Sequence, residues 1–282
     1  MKAADVDLID VALREDIGAG DVTTDSFVSK NVQADARIVA RERAIVAGTE
    51  TAAEVFRRVD RDLRVKVIQK DGSEVNTGDD IVEIRGCGRS ILKGERVALN
   101  FLQRLSGIAT MTRKFVDAAS NQRVQILDTR KTTPGLRVLE KAAVVAGGGM
   151  NHRFGLFDMV MIKDNHLLAS GGFDAFAKAV RKFREEHAGV RIEVEADTLE
   201  QVHTFLDING IDVILLDNMK PAQIREAIAL GKGKVKFEAS GGVTLKNIRQ
   251  IAATGVDYIS IGALTHSPRS IDFSLEITHV EA

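Results

Sequence analysis

The chain has 282 residues, of which 44% are hydrophobic and 28% are charged, enough for one large α/β barrel or for two smaller domains. Lys and Arg number 39 against 40 for Asp and Glu, which leaves a formal net charge of −1. A chain so close to neutral lacks the broad basic surface of a protein that binds nucleic acid or membrane. Any anion site must therefore be a local cluster.

Cys87 is the only cysteine, which excludes an intrachain disulfide and favours a reducing compartment. Residues 1–10 mix acidic and apolar side chains and lack the basic start and apolar core of a secretory signal. No stretch reaches the roughly 18 uncharged apolar residues of a membrane span. We therefore expect a cytoplasmic protein.

The first part of the chain predicts an α+β domain. Strand-like patterns at 36–46, 63–67 and 81–84 surround a helix predicted at 49–59, with turns at 71–72 and 77–79. Hairpins of this kind favour a mostly antiparallel sheet. Apolar residues three and four apart then predict a helical segment over 91–118, broken into two helices at Ser106-Gly107.

The second part alternates short apolar runs with amphipathic helices, a rhythm typical of a parallel sheet. The runs predict strands at 124–127, 159–162, 190–194, 213–216, 235–237 and 258–261. The helices are predicted at 136–145, 173–187, 199–207, 221–230 and 245–253. Six strands fall short of the eight of a full barrel, which indicates an incomplete barrel or an open sheet. We expect domains at 1–107 and 108–266, with 267–282 returning to the first.

Polar residues follow every predicted strand, and in such folds the active site lies at the C-terminal strand ends. The strand ends are 128–132, 163–166, 195–197, 217–218, 238–242 and 262–266. Six polar ends at one rim are costly without a ligand. The rim is therefore the candidate functional site.

The rim residues form three chemical groups. The cationic group, which matches carboxylates and phosphates, comprises Arg130, Lys131, Lys163 and, after a glycine turn at 147–149, His152 and Arg153. The acidic pair Glu195 and Asp217 predicts Mg2+, although a salt bridge to Lys163 or Lys131 is an alternative explanation. Ser240-Gly241-Gly242 before a helix predicted to open near Thr244, and Gly262-Ala263 after the last strand, favour phosphate binding.

Seven segments spread over almost the whole chain form a specific series. They are 15–24 (EDIGAGDVTT), 128–135 (DTRKTTPG), 147–153 (GGGMNHR), 162–166 (IKDNH), 216–218 (LDN), 238–242 (EASGG) and 255–266. This series resembles the quinolinate phosphoribosyltransferase family, also called nicotinate-nucleotide pyrophosphorylase (carboxylating). Ala142 and Val145 depart from the family pattern on a helix. An extra residue before Asp217 leaves Glu193 as an alternative to Glu195.

The resemblance implies an N-terminal α+β sandwich followed by an incomplete parallel α/β barrel, and a Mg2+-dependent transfer of phosphoribosyl from phosphoribosyl pyrophosphate to quinolinate in NAD biosynthesis. The quinolinate carboxylates would be bound by Arg130, His152, Arg153 and Lys163. Lys131 would lie between the substrates, and the ribose and metal would face Glu195 and Asp217. The 5-phosphate would be held by Ser240, Gly241, Gly262 and His266. Arg96 would enter the site from the partner subunit of a homodimer.

Three other functions stay open from the residues alone. One is an aldolase-type barrel in which Lys163 forms a Schiff base, which requires an apolar site and a lowered lysine pKa. Another is a related phosphoribosyltransferase with a different substrate. The last is an anion sensor without activity, against which the acidic pair argues, since a pure binder gains nothing from carboxylates beside phosphates.

Overall fold

The computed structural model describes residues 7–120, 123–163, 166, 172–231 and 233–281. Asp164 and Asn165 of the predicted strand-end motif lie outside the described residues, as do residues 1–6. Two compact units are present. The first contains Met1–Arg113, Thr132–Gly148 and Thr265–Ala282, and the second contains Lys114–Lys131 and Gly149–Leu264. The domain boundaries expected at residues 107 and 266 stay a prediction.

The described elements are numbered in chain order. The helices are α1 (Leu8–Ile17), α2 (Val22–Phe27), α3 (Thr49–Val59), α4 (Gly88–Ala119), α5 (Arg137–Ala146), α6 (Phe173–Glu186), α7 (Leu199–Leu206), α8 (Pro221–Gly231), α9 (Ile248–Ala252) and α10 (Ala263–His266). The strands are β1 (Gln33–Ala40), β2 (Ala44–Ile45), β3 (Arg64–Val67), β4 (Glu74–Val75), β5 (Asp80–Cys87), β6 (Gln125–Leu127), β7 (Val160–Ile162), β8 (Ile192–Ala196), β9 (Val213–Asp217), β10 (Lys236–Ser240), β11 (Tyr258–Ser260) and β12 (Phe273–Glu281).

The first unit is built on an antiparallel sheet in the order β12-β1-β5-β3, which confirms the predicted sheet type. Alternate residues of β1 and β5 are buried, as expected for a sheet with one covered face. Phe56 of α3 and Leu99 and Leu102 of α4 complete the same core. The C-terminal strand β12, which the sequence pattern did not predict as a strand, pairs with the whole of β1.

The turn predicted at Asp71-Gly72 also starts helix α3. The two carboxylate oxygens of Asp71 accept the backbone N–H groups of Gly48 and Thr49, each at 2.9 Å. These are N–H groups at a helix start, which need an acceptor from outside the helix. A turn distant in sequence therefore supplies the cap for α3.

Helix α4 is continuous from Gly88 to Ala119, so the predicted break at Ser106-Gly107 is wrong. Ser106 Oγ hydrogen-bonds the backbone of Ala47, accepting from its N–H at 3.0 Å and donating to its carbonyl at 3.2 Å. A Cβ at Gly107 would collide with the carbonyl oxygen of Arg269. The small pair permits close packing inside one helix, and packing overrides the low helix propensity of glycine.

The second unit contains a parallel sheet in the order β6-β11-β10-β9-β8-β7. All six strands were predicted, with ends that differ by three residues or fewer. The interior strands β8, β9 and β10 are buried over most of their length, as a sheet covered on both faces requires. Strands β6 and β7 are its edges, so the sheet is the expected open α/β barrel. The predicted helices are also present, although α9 is much shorter than expected.

Among the helices that the structure describes, none combines the length and the apolar character needed to cross a membrane.

Candidate active site

The C-terminal ends of the parallel strands in the second unit carry most of the predicted site residues. Because parallel strands end at the same edge, their polar ends share one rim. Seven of the predicted residues occupy strand ends or the positions just after them: Arg130, Lys131, Lys163, Glu195, Asp217, Ser240 and Gly262. His152 and Arg153 lie in the segment that follows Met150, which bridges to Leu127 at the edge of β6.

Three carboxylates form an acidic cluster at the rim. Oxygen atoms of Glu195, Asp197 and Asp217 all lie within 4.8 Å of one another. Asp197, two residues after Glu195, was not among the predicted ligands, although strand alternation places it on the same face. A group of carboxylate oxygens is the kind of ligand set that Mg2+ prefers, so these residues fit the implied metal.

Lys163 pairs with this acidic cluster. Its Nζ lies 2.9 Å from Glu195 Oε2, and the two side chains are 50% and 16% exposed. The salt bridge that stood as an alternative to metal binding is therefore present for Glu195. The two interpretations are compatible, since three carboxylates retain oxygens beyond the one that contacts Lys163.

A second cluster lies buried among the strands. His152 Nε2 is 3.0 Å from Glu193 Oε2 and 3.5 Å from Glu238 Oε2, and the three side chains are only 7%, 1% and 2% exposed. The backbone N–H of His152 donates to Asp128 Oδ1 at 2.9 Å. Glu193, the alternative to Glu195, thus belongs to the histidine cluster, and Glu195 lies with Asp217.

Burial perturbs both partners in the histidine cluster. Desolvation lowers the pKa of His152, but hydrogen bonds to Glu193 and Glu238 outweigh it and raise that pKa to about 10. Burial raises the pKa of Glu193, and the charge of Glu238 adds to that rise, while His152 opposes it. Two carboxylates share one imidazole here, and Glu193 is costly to ionise unless the ring stays beside it.

Arg130 and Arg153 form the cationic part of the rim. Burial lowers the pKa of Arg153, the positive charge of Arg130 lowers it further, and Glu193 and Asp158 oppose that fall. The effect of the Arg130 charge on Arg153 indicates that the two guanidinium groups lie near each other. Two close arginines repel, and a ligand with two negative charges relieves that repulsion.

The loops after β9 and β10 approach each other closely. The backbone N–H of Asn218 donates to the Ser240 carbonyl at 2.9 Å, and the Asn218 amide donates to Asp217 Oδ2 at 2.7 Å. Gly241 has φ +88°, and a Cβ there would collide with Asn218 Oδ1. The helix expected near Thr244 begins only at Ile248 and has five residues, so the predicted start of that helix is wrong, and the phosphate site expected at 240–242 stays a prediction. Thr244 instead opens a turn, donating its N–H to Asn247 Oδ1.

Arg96 and His266 belong to the first unit. Arg96 is exposed on α4 as predicted, and its charge opposes the rise that burial causes in the pKa of Glu95. His266 ends α10, where its Nδ1 lies 2.6 Å from Ser267 Oγ. The roles expected for both residues stay predictions.

Sequence and structure comparisons connect the chain to characterised proteins. Residues 21–106 match the family model described as quinolinate phosphoribosyl transferase, N-terminal domain, and residues 108–276 match the C-terminal domain model. A probable nicotinate-nucleotide pyrophosphorylase (carboxylating) of Bacillus subtilis is 47% identical over 94% of this chain and 90% of its own length. A mitochondrial quinolinate phosphoribosyltransferase (decarboxylating) of Nicotiana tabacum is 43% identical over 96% of this chain and 81% of its own.

A solved structure extends the similarity to the fold. The nicotinate-nucleotide pyrophosphorylase of Francisella tularensis superposes with a TM-score of 0.90 at 39% identity. The superposition covers 96% of this chain and 95% of the other. The similarity therefore includes both units of the chain.

The close approach at Gly241 predicts a graded effect of alanine. Gly241→Ala should lower the free energy of unfolding by about 1–3 kcal/mol more than Gly242→Ala, because only the first methyl group meets Asn218. Both glycines have positive φ, so the backbone cost is similar in the two variants. Denaturant unfolding of the three proteins measures the difference. Equal losses for the two variants would contradict the contact.

Proposed function

The chain belongs to the quinolinate phosphoribosyltransferase family, and on that premise we propose how the rim of its second unit performs the family reaction. The phosphoribosyl group of phosphoribosyl pyrophosphate is transferred to quinolinate, and the products are nicotinate mononucleotide, pyrophosphate and CO2. The observation that carries the proposal is the pairing of two close arginines with a rim of three carboxylates.

The cationic side of the rim suits the dianion quinolinate. Arg130 and Arg153 carry positive charges near each other, and the two carboxylates of quinolinate would pair with them. Lys163 is half exposed and reaches the same rim, where it adds a third positive charge. Lys131, just after β6, would lie between the two substrates. We assign these four residues, with His152 beneath them, to substrate binding.

The acidic side suits the ribose and a metal. Glu195 and Asp217, joined by Asp197, are the residues that would hold Mg2+ together with substrate oxygens. When bound, Mg2+ neutralises negative charge on the leaving pyrophosphate. The carboxylates also stabilise the positive charge that develops on the ribose ring. Ser240 and Gly241 face the same edge through the β9 and β10 loops and would contact the 5-phosphate.

The bond changes follow from this arrangement. The pyridine nitrogen of quinolinate attacks the anomeric carbon while the bond to pyrophosphate breaks. The nitrogen is then positively charged, so it stabilises the electron pair that stays on the neighbouring ring carbon when the 2-carboxylate leaves as CO2. That carbon finally takes a proton. Fixed cations contribute by holding two anionic substrates together that would otherwise repel each other.

The alternative functions receive less support. A Schiff-base role requires a desolvated, neutral lysine, whereas Lys163 is half exposed and paired with Glu195 at 2.9 Å. An anion sensor without activity has no use for three clustered carboxylates at a cationic rim. A catalyst of a reaction in which positive and negative charges separate uses both acidic and cationic side chains.

We further propose that the enzyme is a cytoplasmic homodimer with shared active sites. The single Cys87 fits a reducing compartment. Arg96 is exposed on α4, and an exposed arginine is available to a partner subunit. A two-fold dimer would then contain two equivalent sites, each completed by Arg96 of the other chain.

The activity assay tests the substrate. Purified protein with Mg2+, phosphoribosyl pyrophosphate and carboxyl-labelled quinolinate should release CO2 and form nicotinate mononucleotide, and both products should disappear when Mg2+ is chelated. Nicotinate lacks the 2-carboxylate and should react poorly. Efficient use of nicotinate with no use of quinolinate would refute the substrate assignment.

Lys163→Ala tests the cationic rim. Loss of a charge that contacts a desolvated carboxylate costs about 2 kcal/mol or more, so kcat/KM should fall at least about 30-fold. Stability should change little, because the Lys163 side chain is half exposed. Lys182→Ala removes an exposed lysine that pairs only with Glu186 on its own helix and is the matched control. Equal activity of the two variants would contradict a binding role for Lys163.

Subunit mixing tests the shared site. Arg96→Ala and Lys163→Ala homodimers should each be nearly inactive, whereas joint unfolding and refolding should restore about a quarter of wild-type activity, since half of the dimers then contain one intact site. Mixing Lys163→Ala with Glu195→Gln is the control. Each chain of that heterodimer has a substitution in its own rim, so neither site is intact and no activity should return. No recovery in the first mixture, despite confirmed exchange, would refute the shared site.

A further inference from the structure

In the buried cluster of His152, Glu193 and Glu238, the two acids have no role yet in the reaction described above. All three side chains are at least nine-tenths buried, and no lysine or arginine forms an ion pair with either acid in the described part of the chain. Burying carboxylates is expensive unless hydrogen bonds and counter-charges compensate. Such an arrangement in the middle of a barrel therefore calls for a function.

The cluster holds the imidazole ring of His152 at both nitrogens. Nε2 faces the two carboxylates at 3.0 and 3.5 Å, and Nδ1 accepts the backbone N–H of Arg153 at 2.7 Å. The backbone N–H of His152 is bound in turn by Asp128, which is fully buried. The segment that leads into Arg153 is thus fixed by two hydrogen bonds of the backbone and by the two contacts of Nε2 with the acids.

Opposite influences act on the ring proton at Nδ1. The two acids favour the charged ring, whereas the Arg153 N–H favours a neutral ring, because a protonated Nδ1 cannot accept. In both forms Nε2 carries a proton, and this nitrogen lies 3.0 Å from Glu193 Oε2 and 3.5 Å from Glu238 Oε2. The orientation of the ring is therefore independent of its charge, and Glu193 and Glu238 determine it.

The same acids also act on Arg153. Glu193 raises the pKa of Arg153 against the effects of burial and Arg130. A cavity of about 100 Å3 is lined by residues that include His152, Arg153, Glu193 and Glu238. Within the described residues, Glu193 Oε1 and Glu238 Oε1 have no hydrogen-bond partner, so both carboxyl groups depend on the His152 ring beside them.

We propose that Glu193 and Glu238 are positioning residues that fix the His152 ring and, through its Nδ1, the backbone that presents Arg153 to a substrate carboxylate. They act before substrate arrives, so that the arginine is placed in advance. This inference rests on the proposed function, since it concerns the quinolinate half of the site. It predicts an effect on quinolinate binding and none on phosphoribosyl pyrophosphate.

Glu238 variants test the proposal with two readouts. Glu238→Ala should raise KM for quinolinate about tenfold and leave KM for phosphoribosyl pyrophosphate unchanged within about twofold. Glu238→Gln, which keeps an oxygen acceptor for Nε2 and the side-chain volume, should restore much of the loss. Glu186→Ala is the control, because Glu186 is an exposed acid that pairs with Lys182 on helix α6.

Nitrogen NMR of histidine-labelled protein gives the second readout, with the His152 signal assigned by its loss in His152→Asn. In the wild type Nε2 should be protonated and static, and in Glu238→Ala the ring should average between tautomers. This readout needs no turnover. If the wild type releases no CO2 from quinolinate but shows the fixed ring, the proposed function is wrong and the hydrogen-bond arrangement is right.

Several results would overturn the inference. If the KM values for both substrates rise together, Glu238 has a general structural role. If neither KM value changes, Glu238 has no role in positioning Arg153. One tightly bound transition metal per wild-type chain, lost in Glu238→Ala, would make the three residues ligands instead. If Glu238→Ala fails to fold, Glu238→Gln takes its place. A His152 ring that averages between tautomers in that variant, while quinolinate binding stays normal, also refutes the proposal.

Discussion

The two-residue repeat of strand β8 determines where negative charge lies in the second unit. Side chains two residues apart point to the same face of a strand and are separated by about 6.6 Å along it. Glu193 and Glu195 therefore share a face at different depths, one among buried strands with His152 and the other at the rim with Asp217. A single strand thus supplies an acid to the interior cluster and an acid to the metal-binding side.

Charge of both signs is concentrated at this rim in a net-neutral protein. Arg130 and Arg153 lie close enough to depress a pKa, and three carboxylates lie within 4.8 Å of one another. Like charges so close together repel, so neither the two arginines nor the three carboxylates would be favourable without opposite charges nearby. The Lys163–Glu195 ion pair and the negative charge of Glu193 near Arg153 offset part of that cost, and the substrates and metal that we propose would offset the rest. The rim is therefore organised for anions and cations together.

The sequence predicted the parts of this structure that follow from periodicity and failed where distant contacts decide. The six strands of the parallel sheet and their polar ends could be predicted, because short apolar runs followed by polar residues are local sequence patterns. The Ser106-Gly107 pair was misread as a helix break because its partners, Ala47 and Arg269, are far away in sequence. The pairing of Glu238 with His152 was equally inaccessible, since it depends on which strands become neighbours in the sheet. Asp197 could have been found from its spacing to Glu195.

The pairing of β12 with β1 has a consequence for how the protein folds as it is synthesised. Strand β1 lies between β5 and β12 in the sheet of the first unit. It therefore lacks a neighbour on one side until β12 has been made, after residues 41–272. During that time β1 presents an unpaired strand edge, the kind of surface that associates with other chains. Contacts of such long sequence separation also slow folding. The sheet of the first unit is therefore completed only after the second unit has been synthesised, and the unpaired edge of β1 is where we expect chaperones to act.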